Sequence, residues 1–143
     1  MVHDTRPWEK AFRTYTQVMF YDTDCGGVVH NLAYLRWIEE CRTKLAAGAG
    51  IDCAAMAREG LYTVVVRHEI DYVRPASLSE KIEVMGLIER AERASLWFCF
   101  EVRKEESGEV CVRARQRLAL VRMPSGRPCR IPEEWKSAAL ERG

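Results

Sequence analysis

The sequence predicts an α+β domain in which helices cover one face of an antiparallel sheet. Three observations carry this. From residue 31 the apolar side chains Tyr34, Leu35, Ile38, Cys41 and Leu45 recur at helical spacing, the pattern of one long amphipathic helix. After Gly60, four segments rich in β-branched and aromatic residues follow one another, separated by turn signals. Strands that follow a helix in a row, without alternating with further helices, segregate the two layers.

In chain order, residues 11–21 hold Phe12, Tyr15, Val18, Met19 and Phe20 with no breaker and suit an extended segment. A turn over 22–30 follows, and Asn31 is the candidate cap of the long helix, over about 31–47. Arg36, Glu40 and Lys44 stand four apart and are expected to form a charged row on its outer side. Gly48 and Gly50 end it. Asp52 caps a short second helix through about Glu59, stopped by Gly60. Strands are expected at 61–73, 81–89, 95–104 and 110–121, the last two joined by a turn at Glu105-Glu106-Ser107-Gly108-Glu109. Residues 123–130 read as a Pro/Gly loop. Pro132 then suits the first turn of a terminal helix anchored by Trp135. No linker or repeat divides the chain, so 1–143 reads as one domain with its core over about 10–122.

Composition narrows the function. With 22 basic and 21 acidic side chains the net charge is +1. That argues against a general binder of nucleic acid or membrane surfaces, which needs a positive excess. No apolar run near the N-terminus suits a signal peptide and none elsewhere suits a membrane span. The six cysteines are scattered without a Cys-x-x-Cys pair and read as reduced thiols of a cytoplasmic protein. His3, His30 and His68 lack ligand spacing, so no metal is expected.

The chemistry concentrates in residues 20–35. Asp22 and Asp24 end an apolar segment, Gly26 and Gly27 bend the backbone, and the helix pattern begins at Asn31. A carboxylate is thereby delivered beside unpaired N–H groups at a helix start, where partial positive charge can hold an oxyanion. This is the minimum equipment for acyl transfer. Both aspartates also suit plain turn formation, since Asp bonds its own backbone. Cys25 lies inside the same stretch and is a nucleophile only if its thiolate is favoured.

Tyr21-Asp22-Thr23-Asp24, Gly26-Gly27-Val28-Val29 and Tyr34-Leu35-Arg36-Trp37, followed by Glu39-Glu40 and Arg42-Thr43, form one matching stretch. Glu69-Ile70-Asp71-Tyr72-Val73-Arg74-Pro75-Ala76 forms a second. Together, in this order over roughly 10–135, they resemble the hotdog-fold acyl-CoA thioesterases. More narrowly they resemble the 4-hydroxybenzoyl-CoA and Tol-Pal-cluster thioesterase family. The resemblance implies a highly curved antiparallel sheet wrapped around one long helix, a homodimer or a tetramer with sites at the subunit interface, and hydrolysis of an acyl-CoA thioester without a cofactor. It makes Asp24 the catalytic nucleophile or general base, and the backbone N–H near Asn31 the oxyanion donor. Asp22 braces the turn. His30, Tyr34, Gly27 and Val29 are the candidate substrate contacts. The chain departs from the usual Tyr-His of the family by carrying His30-Asn31. That leaves an amide, which cannot exchange a proton at neutral pH, where the imidazole usually stands.

Arg74, Arg90 and Arg93 are candidates for the coenzyme A phosphates. Arg113, Arg115 and Arg117 form an alternating basic strand face that is either a solvated surface or a phosphate contact. Another branch of the fold uses a helix glutamate in place of the turn aspartate, and Glu39 is the minor candidate for that role beside Asp24, while Glu40 is explained by the charged row. The rival readings are a thioesterase acting on acyl-carrier protein and a non-catalytic dimer that binds acyl-CoA. A hotdog hydratase would need an Asp-x-Asn-Pro-x-His stretch, which is missing from the sequence.

Overall fold

The structure is a computed structural model that describes residues 6–24 and 26–142. Strand β1 (Phe12–Gln17) leads through a 3-10 turn (Phe20–Asp22) and a tight loop into helix α1 (Asn31–Gly48). Helix α2 (Cys53–Arg58) is followed by β2 (Leu61–Tyr72), β3 (Lys81–Ala91), β4 (Ser95–Lys104) and β5 (Val110–Arg122). Two-residue strands β6 (Arg127–Pro128) and β7 (Glu141–Arg142) flank helix α3 (Glu133–Ser137). The main strands lie in the order β1-β3-β4-β5-β2, every neighbouring pair antiparallel, and the sheet curls around α1.

The extended segment expected over 11–21 stops at Gln17. Its physical cause is Asp22: the buried carboxylate accepts the Met19 N–H at 2.9 Å and closes the chain into the 3-10 turn. The segment expected as loop at 123–130 contains β6, which extends the β5 edge. Pro132 stands just before α3 as its N-cap, and Trp135 is buried as its anchor.

Helix α1 buries Ala33, Tyr34, Trp37, Ile38, Cys41 and Ala46. The stripe is rotated from the expected one because Trp37, with its large apolar area, turns inward and packs edge-on against Tyr34 at 5.3 Å. Leu35 and Leu45 are left half-buried. At the far end Gly50 (φ +88) lets the Ile51 N–H reach back to Ala46 C=O at 2.9 Å, a hydrogen-bonded stop sealed by buried Ile51. The helix approaches the sheet most closely over Gly86. A Cβ there would stand 3.1 Å from Cys41 Sγ and 3.0 Å from the Phe100 ring. Burial pushes the Cys41 thiol up to about 11, which makes it a packing group with little thiolate.

The charged row is only partly formed. Lys44 pairs with Glu40 at 2.9 Å, but Arg36 turns away to Asp22 at 3.6 Å, drawn by a carboxylate that burial leaves poorly solvated. On the outer sheet face each of the three alternating arginines meets a carboxylate. Arg113 pairs with Glu101, Arg115 with Glu69 and Glu89, and Arg117 with Glu92. The face is therefore of mixed charge and not a free basic stripe. Among the described residues, no helix is long and apolar enough to cross a membrane.

Candidate active site

The loop between the 3-10 turn and α1 is closed by its own backbone. The Asp24 N–H donates to Val28 C=O at 3.0 Å and the Gly27 N–H returns to Asp24 C=O at 3.1 Å. Gly27 has φ +78, a conformation that costs a residue with a Cβ roughly 1–2 kcal/mol. Two further bonds dock the loop: Val29 N–H to Ala76 C=O and His30 N–H to Asp22 C=O, each 2.9 Å.

The two aspartates, alike in sequence, differ completely in surroundings. Asp22 is 3% exposed, with Oδ2 taking the Met19 N–H and Oδ1 facing Arg36. It is the brace of the turn. Asp24 is exposed, and its Oδ1 accepts the Gly26 N–H at 2.8 Å. No other hydrogen bond or ion pair engages its carboxylate among the described residues, so the second oxygen stays available. Cys25 lies outside the described residues.

Asn31 is not the helix cap. It is the first helical residue, and His30 is the cap, with Nδ1 accepting the Ala33 N–H at 3.3 Å. The imidazole serves here as well as an Asn side chain because its unprotonated nitrogen reaches the same donor. Helix geometry gives the Asn31 and Leu32 N–H groups no carbonyl within α1. Neither donates a hydrogen bond among the described residues, so both remain free at the positive end of the helix.

A cavity of about 220 Å³ opens at this point, lined by Val29, Asn31, Tyr34, Tyr72, Val73, Arg74 and Pro75. Three predicted residues of the helix start, Val29, Asn31 and Tyr34, and one predicted arginine, Arg74, thus share one wall. Asp24 and Gly27 stand outside that lining, on the exposed loop. Tyr34 is buried, accepts the Ala76 N–H at 2.9 Å, and burial raises its pKa. Its hydroxyl therefore stays protonated and fixes the first turn of α1 against Ala76 in the connection between β2 and β3. Arg74 is held by Glu109 at 3.4 Å. Arg90 pairs with Glu141 and Arg93 sits in the β3–β4 turn, about 30 Å of strand away from the end of β3 beside the loop. Within one protomer these two arginines do not join the rest.

Tyr72, in the second matching stretch, is a site residue that the sequence pattern does not single out. It closes the cavity, its ring 5.8 Å from Tyr34 and its hydroxyl donating to Asn31 C=O at 3.4 Å. The signal for it was weak: an aromatic at a strand end is ordinary by pattern.

A long helix held in a curled antiparallel sheet, with an aspartate loop feeding its N-terminus, defines the hotdog class of domain. The chain belongs to the thioesterase-like superfamily, whose family model matches residues 18–139. It is 32% identical over 136 residues to the 1,4-dihydroxy-2-naphthoyl-CoA hydrolase of Parasynechococcus marenigrum, covering 88% of this chain and 85% of that one. It is 27% identical over 131 residues to the acyl-CoA thioesterase YbgC of Haemophilus influenzae, covering 91% and 95%. A solved 1,4-dihydroxy-2-naphthoyl-CoA thioesterase from Synechocystis shares the fold with a TM-score of 0.82 at 22% identity, over 90% of this chain and 94% of that one. The protein is a thioester hydrolase by family.

Proposed function

We propose that this hydrolase cleaves acyl-CoA thioesters to free acid and coenzyme A, with Asp24 as nucleophile or general base and the Asn31 N–H as oxyanion donor. The observation that carries the reading is an exposed carboxylate, held through one oxygen only, on the short loop that leads into two free N–H groups at the start of α1. In the direct route the free oxygen of Asp24 attacks the thioester carbonyl, and water then hydrolyses the mixed anhydride. In the alternative, Asp24 takes a proton from water as that water attacks. Either way the carbonyl oxygen gains charge where a preorganised N–H can hold it. The thiolate is a good leaving group and departs without a strong acid. His30, committed through Nδ1 to the helix cap, can present only its other nitrogen to substrate.

The coenzyme A esters in the names of the two relatives above support coenzyme A over carrier protein, and the neutralised arginines of β5 remove the basic stripe that would have favoured an acidic carrier. β2 is an edge of the sheet and exposes Tyr62, Val64, Val65 and Val66 along with unpaired backbone groups. Such an edge supports a homodimer joined through β2, with a tetramer as a dimer of dimers. The scattered cysteines, without a Cys-x-x-Cys pair, support a reducing, cytoplasmic setting.

The test is a panel of acyl-CoA esters with thiol detection, run on wild type and Asp24→Asn. Asparagine still accepts the Gly26 N–H, so the loop should persist while kcat falls by at least about 10²-fold. Near-normal turnover of the variant would remove Asp24 from the mechanism. Tight acyl-CoA binding without hydrolysis by the wild type would make the protein a binder. A monomer in sedimentation would end the dimer.

A further inference from the structure

A second cavity, about 290 Å³, lies between the middle of α1 and the sheet and has no part in the chemistry above. Its sheet wall is mostly apolar, built by Leu96, Phe98 and Leu118 beside Thr63, while Glu39, Arg42 and Thr43 line it from α1. The Arg42 side chain is only 15% exposed. One of its nitrogens donates to Gln116 Oε1 at 2.6 Å. Its ion pair is with Glu39 at 3.7 Å, and Glu39 is 67% exposed, so the charge is weakly compensated. The remaining guanidinium donors have no acceptor among the described residues.

Gln116, on β5, is itself 5% exposed and holds Arg42 from outside the cavity lining. A guanidinium can only donate, so Gln116 turns its oxygen to Arg42 and its NH₂ to His68 Nδ1, 3.1 Å away. The proton of neutral His68 is then on Nε2, which is buried and unpartnered. An apolar wall beside an under-bonded cation is a poor site for a plain hydrocarbon. Filling it with one would strip water from Arg42 and return nothing.

We infer that this cavity receives the far end of the acyl group and selects acyl groups bearing a hydroxyl or carboxylate oxygen, which Arg42 binds. The inference rests on the thioesterase reading and on the β2 dimer. Within one chain Arg42 is eleven residues, about 16 Å, along α1 from Asn31. Across the dimer the separation shrinks. Two fully overlapped antiparallel β2 strands place Tyr72 of one copy opposite Leu61 of the other, and Ile70 opposite Thr63. Tyr72 lines the catalytic-mouth cavity and Thr63 lines the Arg42 cavity. The mouth of one protomer then adjoins the Arg42 cavity of the second copy within about 7 Å along the strands. An acyl group of ordinary length spans that junction.

The test compares kcat/KM within two matched pairs of acyl-CoA esters: an aryl pair with and without a ring hydroxyl, and an alkyl pair ending in carboxylate or methyl. Wild type should favour the oxygen-bearing ester of at least one pair by about tenfold or more, the strength of a hydrogen bond to a charged donor. In Arg42→Met that ratio should collapse toward one. Both esters are measured on one preparation, so partial misfolding cancels from the ratio. Arg42→Lys should keep part of a carboxylate preference and lose a hydroxyl one, because charge survives but the planar fork does not. Calorimetric binding of the matching free acids gives the same comparison without turnover. Absence of preference in both pairs, or a preference that survives in Arg42→Met, overturns the inference. If Asp24→Asn keeps its activity while Arg42→Met loses selectivity, the catalytic assignment falls and this one stands.

Discussion

Replacing Asp22 with alanine tests whether the loop that carries Asp24 is held by a buried carboxylate. In the native turn the Met19 N–H donates to Asp22 Oδ2 at 2.9 Å, at a residue only 3% exposed. Removing the acceptor leaves that N–H unsatisfied, which costs about 1–3 kcal/mol. The Arg36 contact at 3.6 Å adds at most about 1 kcal/mol, because the Arg36 side chain is 57% exposed. Asp22→Ala should therefore lose about 2–3 kcal/mol. Asp22→Asn keeps an acceptor for Met19 and loses only the charge, about 1 kcal/mol or less. In urea, with a slope of about 1–3 kcal/mol per molar, alanine should lower the unfolding midpoint by about 1–2 M and asparagine by much less. Protein concentration is held constant, since an oligomer's midpoint depends on it. The Asp22 carbonyl still receives the His30 N–H in both variants, so kcat should fall severalfold in Asp22→Ala and little in Asp22→Asn. Equal midpoints for the two variants, or an alanine variant as stable as wild type, would refute the bracing argument.

Gly86→Val should destabilise the fold by about 1–3 kcal/mol, because its Cβ has no room between Cys41 and Phe100. Truncating the helix side with Cys41→Ala should recover part of the loss, and an unshifted melting temperature for Gly86→Val would show that α1 stands further off. Acidification should also lower stability through His68. Burial and the neighbouring Arg42 charge hold its folded pKa below the ordinary histidine value. The unfolded chain therefore takes up the proton first. This contribution is intact above about pH 6.5 and is lost as the pH falls from there toward the folded value. Melting temperatures between pH 8 and pH 5 should fall less steeply in His68→Asn than in wild type, and equal slopes would count against a neutral buried imidazole.

The elements were legible where local chemistry decides them. Asp52 caps α2 through Ala55 as its position before a helical run suggests, and the turn at 105–109 closes with Gly108 at φ +74. The strand segments fell near their observed bounds because β-branched runs between turn residues leave few other options. Errors came where a distant partner intervened. Asn31 is the better cap by residue type, but the chain, docked by the His30 N–H on Asp22, places His30 at the cap. Arg36 left its helical row for a carboxylate that only folding buried. Gln116 stood among the inward-facing residues Ala114 and Leu118 and was the one available hint of polar contacts under α1, but its partners Arg42 and His68 are 74 and 48 residues away.

By itself the sequence determined the local periodicities, the cap of α2 and the turns that bound the strands, and an aspartate loop placed directly before a helix. These depend on residues within a few positions of one another, where sterics and hydrogen bonding act without the rest of the chain. Tertiary structure alone decided which aspartate is buried and which is exposed, and that β2 lies on the edge of the sheet. It alone brought Arg42, Gln116 and His68 together beneath the helix. Burial and electrostatic pairing depend on through-space neighbours, and those exist only once the sheet has curled around α1.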